Sequence, residues 1–595
     1  PLVDKLLSPM QSGFRKNRGT RDNIYALAEA LENSQDGITW TVFVDFKGAF
    51  DSVWRDGLWA KLRRYGVEGK LWRTVQEWYR DSTVIVDWDG VSTGWIRINK
   101  GVRQGCPLSG LLFALFINDI VEDLNNQEDI ANHGLRMGAA PIGWEQIIAL
   151  LYADDIILTA RDKDGMKSLL IGVMEWSKKW RMVLNTDKTV ILSIGSNRLP
   201  KGDKDHKVAD WEIGGSTFTQ VDQSPYLGKV FNQSLTWNQE AMARIGKAYG
   251  NLEHLRKVKT YLGTEKALQV WQQWFLPALS YGAEAVVYNK TIRDKMETLD
   301  RAAWRICFGC DMDTNREWYE AMVGIDHPYS VTLIDIQRLK WWRTLEEDKH
   351  GTVSSNIWYR TQATAIYKAS KLSPWNAKCA ELLQSIQLEE IVTGMKSAAG
   401  DFTANQWNNL VKQRLLQLKI DQTIVKLQES SQRMTIFREV LSRASDGAIW
   451  NGEGEFGRWR KLGLNVGEVI WWCKFRGGLM VGKRRDNNWD SSAKCRQCGD
   501  DTETMDHLMF QCAKMDKARK KLVLDIADSI PYFYEKQQFI QLGQNNAREQ
   551  LLVALGASQE WAFLKDPTFW KRTVQNFQQF WKQFEGRKEV EENFN

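Results

Sequence analysis

At 595 residues, 43% of them apolar and 26% charged, the chain is too long for one hydrophobic core and too ordinary in composition to be disordered or fibrous. Eighty basic and 74 acidic residues leave a net charge of only +6, but ten Lys or Arg and three acids fall between Gly457 and Arg496. Tryptophan occurs 29 times, several-fold above ordinary usage.

The first third predicts short strands alternating with helices. Thr41-Val-Phe-Val-Asp-Phe46 is β-branched and aromatic, a buried strand. Residues 56–79 space Leu58, Leu62, Leu71, Val75 and Trp78 as one helix face. Residues 83–88 and 94–98 predict a hairpin across Asp89-Gly90. A helix follows over 109–124, then two apolar strands, 147–152 and 156–159, around Ala153-Asp154-Asp155. An amphipathic helix at 163–180 precedes a strand at 190–194. Beyond Trp237 the pattern changes to long helices, 238–261, 264–275 and 292–307, and helices continue to about Ala444. A glycine-rich stretch then opens the basic segment.

Asp154 and Asp155 repel each other at a tight hairpin tip, where Asn-Gly would cost less. Alone they read equally as a solvated turn. Asp45 changes the balance, because it ends a second apolar strand and a buried unpaired charge is costly. If those strands are neighbours, the three acids meet at one sheet end, a place for Mg²⁺ and substrate phosphates. Gly101-Val-Arg-Gln-Gly-Cys-Pro-Leu-Ser109, with two glycines bracketing polar side chains before a helix, lets a ligand approach the backbone, though an ordinary loop fits as well.

Together, Phe43-Val-Asp-Phe-Lys-Gly-Ala-Phe-Asp51, the 101–109 segment and Tyr152-Ala-Asp-Asp155 resemble motifs A, B and C of non-LTR (LINE-like) retrotransposon reverse transcriptases, in the same order and spacing. Gln11-Ser-Gly-Phe-Arg-Lys-Asn-Arg-Gly-Thr20 is similar to the block preceding motif A. Trp180, Asn185 and Lys188-Thr189 resemble motif D, Tyr226-Leu-Gly228 motif E, and the helical region with Tyr281-Gly-Ala-Glu284 the thumb. The resemblance implies an RNA-directed DNA polymerase with two Mg²⁺ ions on Asp45, Asp154 and Asp155, and Lys188 as acid for the departing pyrophosphate. It implies Phe50 as the ring excluding a 2′-hydroxyl, with Phe46, Gln104, Gly105 and Arg15 around the incoming dNTP. Tyr226, Leu227 and Gly228 would place the primer end. The family's further finger segments, expected before Gln11, are not seen here, so the chain, which opens on Pro1, reads as N-terminally truncated.

Cys495-x2-Cys498-x8-His507-x4-Cys512 offers three thiolates and an imidazole, a set that suits tetrahedral Zn²⁺ and resembles the C-terminal zinc knuckle of the same elements. Arg484, Arg485, Lys494 and Arg496 flank it as candidate nucleic-acid contacts, and Trp459, Trp471, Trp472, Phe475 and Trp489 interleave the cations as base-stacking candidates. Cys307 and Cys310 lack a second pair and are expected to pack at a helix end. Trp341, Trp342, Trp407, Trp561, Trp570 and Trp581 are expected to pack between helices.

The expected fold class is α+β: a right-hand polymerase palm with partial fingers (1–235), helical thumb (236–345), helical linker (346–455), basic zinc-binding module (456–521) and helical tail (522–595). RNA template and DNA primer are the expected partners. Apolar runs about half a membrane span and the lack of a secretory signal predict no membrane partner. Eight cysteines without a disulfide framework predict a reducing setting, and the resemblance implies an intracellular one, the nucleus or a cytoplasmic ribonucleoprotein. Two alternatives stay open: a decayed remnant that only binds nucleic acid, and a viral RNA-dependent RNA polymerase, which the aromatic at position 50 disfavours.

Overall fold

The computed structural model describes all residues except 1–5, 35–37, 128–131, 140–142, 196–208, 311–313, 315, 348–351, 368–371, 430–434, 444–453, 477–493, 496, 500–502, 558–560 and 592–595. Contacts do not gather the chain into the five consecutive segments expected. They form two units: residues 1–244, 280–292 and 334–409, and residues 245–279, 293–333 and 410–595.

The first unit is built on a six-stranded sheet. Its elements run α1 (Thr20–Asn33), β1 (Thr39–Val44), α2 (Arg55–Arg64), α3 (Gly69–Arg80), α4 (Pro107–Ile117), β2 (Ala149–Tyr152), β3 (Asp155–Ala160), α5 (Lys163–Lys179), β4 (Val190–Ile194), β5 (Asp210–Ile213) and β6 (Ser216–Val221). The strand order is β5-β6-β4-β1-β3-β2. β1 is antiparallel to both neighbours, and Val44 lies opposite Ile156. Every residue of β1 is buried, as expected of a continuous β-branched and aromatic run in a sheet centre. A separate hairpin, β7 (Gln223–Tyr226) with β8 (Lys229–Asn232), follows the sheet.

The helix expected over 56–79 is two helices. The apolar spacing continues across the break, but Gly66 takes φ +77° and ends α2 in a Schellman motif, with Gly66 N donating to Arg63 O and Val67 N to Leu62 O. The second helix consequently turns differently: Val75 is buried, but Leu71 and Trp78 are exposed. The 109–124 helix is likewise divided at Asn118. The hairpin across Asp89-Gly90 forms as expected, both tip residues at positive φ.

Helices close on the back of the sheet through one buried ion pair. Lys61 Nζ lies 2.6 Å from Asp119 Oδ1, which also accepts from Trp176 Nε1 at 2.9 Å, and the ammonium sits 3.6 Å from the Trp180 ring centre. Burial pushes Lys61 down to about 8 despite Asp119.

The second unit is helical among its described residues. Trp459, Trp472 and Phe475 are wholly enclosed there and pack on Trp570, Phe577 and Trp581. Arg476 is buried against Glu455. These aromatics, drawn from the two successive helices Glu455–Lys461 and Val466–Arg476, are therefore core packing, a correction to the base-stacking expectation. Trp471 is half-buried, stacked on Phe475, and Trp489 lies outside the described residues. Trp341, Trp342, Trp407, Trp570 and Trp581 are buried as expected, while Trp561 is half-buried. Cys307 is buried near its helix end. Among the described residues no helix is long and apolar enough to cross a membrane.

Removing Asp119 leaves a buried ammonium without its counter-charge. Asp119→Ala should cost about 3–5 kcal/mol in urea unfolding of the first unit, whereas Lys61→Met combined with Asp119→Leu should cost far less.

Candidate polymerase and zinc sites

The register of β1 against β3 brings the acids together. Asp45 follows Val44 and Asp155 precedes Ile156, and these two hydrophobes face each other across the ladder. Asp45, Asp154 and Asp155 thus stand at the same end of adjacent strands. Burial, then the charge of Asp45, raises Asp154 above the usual carboxylate range. Crowding by the surrounding protein, then the charges of Asp154 and Asp45, pushes Asp155 up to about 6, although much of that residue is open to solvent. Such shifts mark negative charge that the protein itself does not neutralise. The donor set, all carboxylate oxygens beside open surface, fits Mg²⁺ better than a transition metal.

Two further segments fix these acids. Asn185 Nδ2 donates to Asp45 Oδ2 at 2.7 Å and its main-chain N–H to Asp45 O at 2.8 Å, while Asp45 N–H donates to Thr189 Oγ1 at 3.1 Å. On the other side, Gln11 Oε1 accepts from Ala153 N–H at 3.0 Å, and Asn23 Nδ2 donates to Leu151 O at 2.9 Å and to the Tyr226 hydroxyl at 3.0 Å. Sequence reading assigned no role to Gln11, Asn23 or Asn185. Their bonds span 142, 128 and 140 residues, and such long-range polar pairing leaves no periodic trace.

Phe50 is half-buried, stacked on Phe113 at 4.3 Å between ring centres and edge-on to Phe14 at 6.1 Å. Its neighbour Gly101 (φ +81°) must lack a side chain, since a Cβ would lie 2.7 Å from Asp51 O. Gln104 Nε2 donates to both carboxylate oxygens of Asp51, at 3.1 and 3.2 Å, and Gly105 at φ +80° faces open space. Arg15 Nη1 donates to Ser8 O and Gln11 O within its own loop. Lys188 is exposed two residues before β4.

Two expected contacts point elsewhere. Phe46 is buried against Trp176, so its ring belongs to the core and not to a nucleotide pocket. Tyr226 is buried between Phe43 and Phe231, leaving Leu227 (φ +46°) and Gly228 (φ +77°) as the reachable tip of the β7–β8 hairpin. Tyr281 holds that tip, its hydroxyl donating to Leu227 O at 3.1 Å.

In the second unit, one ligand atom from each of Cys495, Cys498, His507 and Cys512 lies within 4.8 Å of the others. Among the described residues no other set of three or more such side chains is this tight, and the three aspartates are not drawn so close. Cys495 and Cys512 sulfurs stand 3.9 Å apart, and Cys498 Sγ is 3.3 Å from His507 Nε2. Zinc–sulfur bonds of about 2.3 Å in a tetrahedron put sulfurs about 3.8 Å apart, so the set fits. Gln497 N–H donates to Cys495 Sγ, and Arg519 Nη1 to Cys512 O at 2.7 Å. Burial pushes the Cys495 thiol up to about 12, a cost that a bound cation offsets. Lys494 is exposed beside the set, and Arg484, Arg485 and Arg496 lie outside the described residues.

Residues 1–231 match the family described as reverse transcriptase (RNA-dependent DNA polymerase). The Pol polyprotein of the type-1 retrotransposable element R2 from Nasonia vitripennis is 28% identical over 38% of this chain and 22% of its own length. The RNA-directed DNA polymerase of the mobile element jockey from Drosophila funebris is 25% identical over 50% of this chain and 31% of its own. The R2 polyprotein of Popillia japonica is 23% identical over 66% and 64%. Apo telomerase of Candida tropicalis is similar in structure at a TM-score of 0.31, with 12% identity over 69% of this chain and 59% of that one. Residues 1–231 are thus similar to a reverse transcriptase domain, with relatives among retrotransposable elements, and the chain spans under a third of the length of the first two relatives.

The raised carboxylates carry a pH signature. Folding lifts Asp155 from its ordinary value to about 6, so the folded chain holds a proton that the unfolded chain has released. Without metal, stability should fall as pH rises from about 4 to 6. Mg²⁺ should raise the unfolding temperature at pH 7.5 and have little effect at pH 5, a difference that scanning calorimetry reads directly.

Proposed function

We propose that the chain is an RNA-directed DNA polymerase of a non-LTR retrotransposon, adding deoxynucleotides to a DNA 3′-hydroxyl on an RNA template. The pairing of Val44 with Ile156, which sets Asp45 beside Asp154 and Asp155, carries the reading. Two Mg²⁺ held by these carboxylates would supply an activated attacking hydroxyl and a stabilised pyrophosphate. The chain's own residues do the rest. Asn185 occupies one oxygen of Asp45 with a hydrogen bond, and the other would be left for the cation. The Phe50 ring, stacked on Phe113, would deny room to a ribose 2′-hydroxyl. Gln104, tied to Asp51, and Gly105 would line the incoming nucleotide and template base, and Arg15 would contact the dNTP. Lys188 is positioned in sequence and exposure to protonate the leaving pyrophosphate. The Leu227-Gly228 tip bears on the primer end.

The Cys495, Cys498, His507 and Cys512 set holds structural zinc, and Lys494 together with Arg484, Arg485 and Arg496, its neighbours in sequence, contact phosphates. Mutating Cys495 and Cys498 to Ser should abolish stoichiometric zinc by elemental analysis and lower the stability of the second unit. Neutralising Arg484 and Arg485 should keep the zinc and flatten the log–log salt dependence of binding by about two units. An unchanged slope would remove those arginines from the interface.

Asp45→Asn or Asp154→Asn should reduce primer extension by at least about 10³-fold while leaving RNA affinity within a few-fold. Activity within about tenfold of wild type would refute the metal assignment, and no extension by the wild-type chain would favour a binding-only remnant. Phe50→Val should admit ribonucleotides at the expense of deoxynucleotide selectivity, checked by paired kcat/KM measurements.

A further inference from the structure

We infer that Gln11 is a positioning residue for Asp154 and Asp155, acting through the main chain of Ala153. The inference rests on the polymerase reading and adds a residue to its machinery. Ala153 sits at the tip of the β2–β3 hairpin with φ +57°, a left-handed conformation in which a Cβ is disfavoured. The tip keeps that conformation under outside restraint. Gln11 is fully enclosed, and its Oε1 accepts from Gly13 N–H at 2.7 Å and from Ala153 N–H at 3.0 Å. Among the described residues its Nε2 has no hydrogen-bond partner, so the oxygen is what the site uses.

The approach that permits this bond is equally specific. A Cβ on Gly13 would lie 2.3 Å from Ala153 N, so only glycine lets the two segments come this close. Ser12 N–H donates to Leu151 O and Leu151 N–H to Met10 O, both at 2.9 Å, pairing residues 10–12 alongside β2. The segment before α1 thus reaches across to the hairpin and grips its bend, one residue before the first metal-binding acid. Released from Gln11, Ala153 would relax toward negative φ, and the backbone that aims Asp154 would turn with it. Asp45, on a different strand and held by Asn185, would stay, and the carboxylates would lose their common focus.

The test uses the full chain and two readouts: Mn²⁺ binding followed by electron paramagnetic resonance, and single-nucleotide primer extension. Gln11→Met keeps the volume and removes the acceptor. It should weaken Mn²⁺ binding about tenfold or more and lower kcat about 100-fold, with the dNTP KM within about threefold. Gln11→Glu, which keeps an acceptor oxygen in its buried, protonated form, should stay within about threefold of wild type in Mn²⁺ affinity. Glycine adopts positive φ without the Cβ penalty, so Ala153→Gly in the Gln11→Met background should restore about fivefold of the lost affinity.

Wild-type Mn²⁺ affinity in Gln11→Met would overturn the inference. So would equal losses in Met and Glu variants with no recovery from Ala153→Gly, the pattern of simple packing. Should Gln11→Met not fold, Gln11→Glu decides: binding within about threefold supports the brace, and a tenfold loss in a folded protein overturns it. A wild-type chain that binds Mn²⁺ at the aspartates yet extends no primer would defeat the polymerase reading while the Mn²⁺ comparison still judged Gln11.

Discussion

Like charges crowded at the end of a sheet are the constraint around which the first unit is organised. A one-residue slip between β1 and β3 would turn Asp45 to the opposite face from its present partners. Instead the Val44–Ile156 pairing fixes three carboxylates at one edge, and Asp154 and Asp155 register the repulsion as raised proton affinity. Two polar clamps hold the acids there against it, Asn185 with Thr189 on Asp45 and Gln11 with Asn23 on the opposing hairpin. A protein selected for stability alone would separate these charges, so their retention under restraint is the mark of a site.

The surroundings supply stiffness. Lys61 and Asp119 lock helices to the back of the sheet, and Lys229, Glu240 and Tyr288 form a second buried network behind the β7–β8 hairpin, with Lys229 Nζ 2.7 Å from the Tyr288 hydroxyl. Burial holds Lys229 at about 8 even with Glu240 beside it. Pairs of this kind add little net stability over well-packed hydrophobes, but they tolerate only one geometry. That selectivity suits a hairpin whose tip is proposed to meet a primer.

The strands were readable because β-branched runs in a buried sheet leave an unbroken apolar signal, and Asp45 stood out as a charge at the end of one. The break at Gly66 was not, since apolar spacing runs through it and a glycine inside a helical pattern often stays helical. The basic segment misled for a different reason. Composition reports that Trp459, Trp472 and Phe475 lie among cations, but not that they turn inward onto Trp570 and Phe577. Phe46 and Tyr226 failed in the same way, as motif residues whose rings face the core. The cysteine–histidine set was legible because four potential ligands at fixed spacing are a local pattern, and the clamps were not because each joins residues more than a hundred apart.

The central claim is that one divalent-metal site joins Asp45 to the Asp154–Asp155 tip. A structure of the full chain with an RNA–DNA primer-template, a chain-terminating dNTP and Mn²⁺, with the ions located by anomalous scattering, tests it most directly. Manganese should be held by Asp45 and Asp154, with the Phe50 ring against the sugar of the bound nucleotide. Manganese bound elsewhere, or a nucleotide seated with Asp45 and Asp154 apart and unligated, would contradict it.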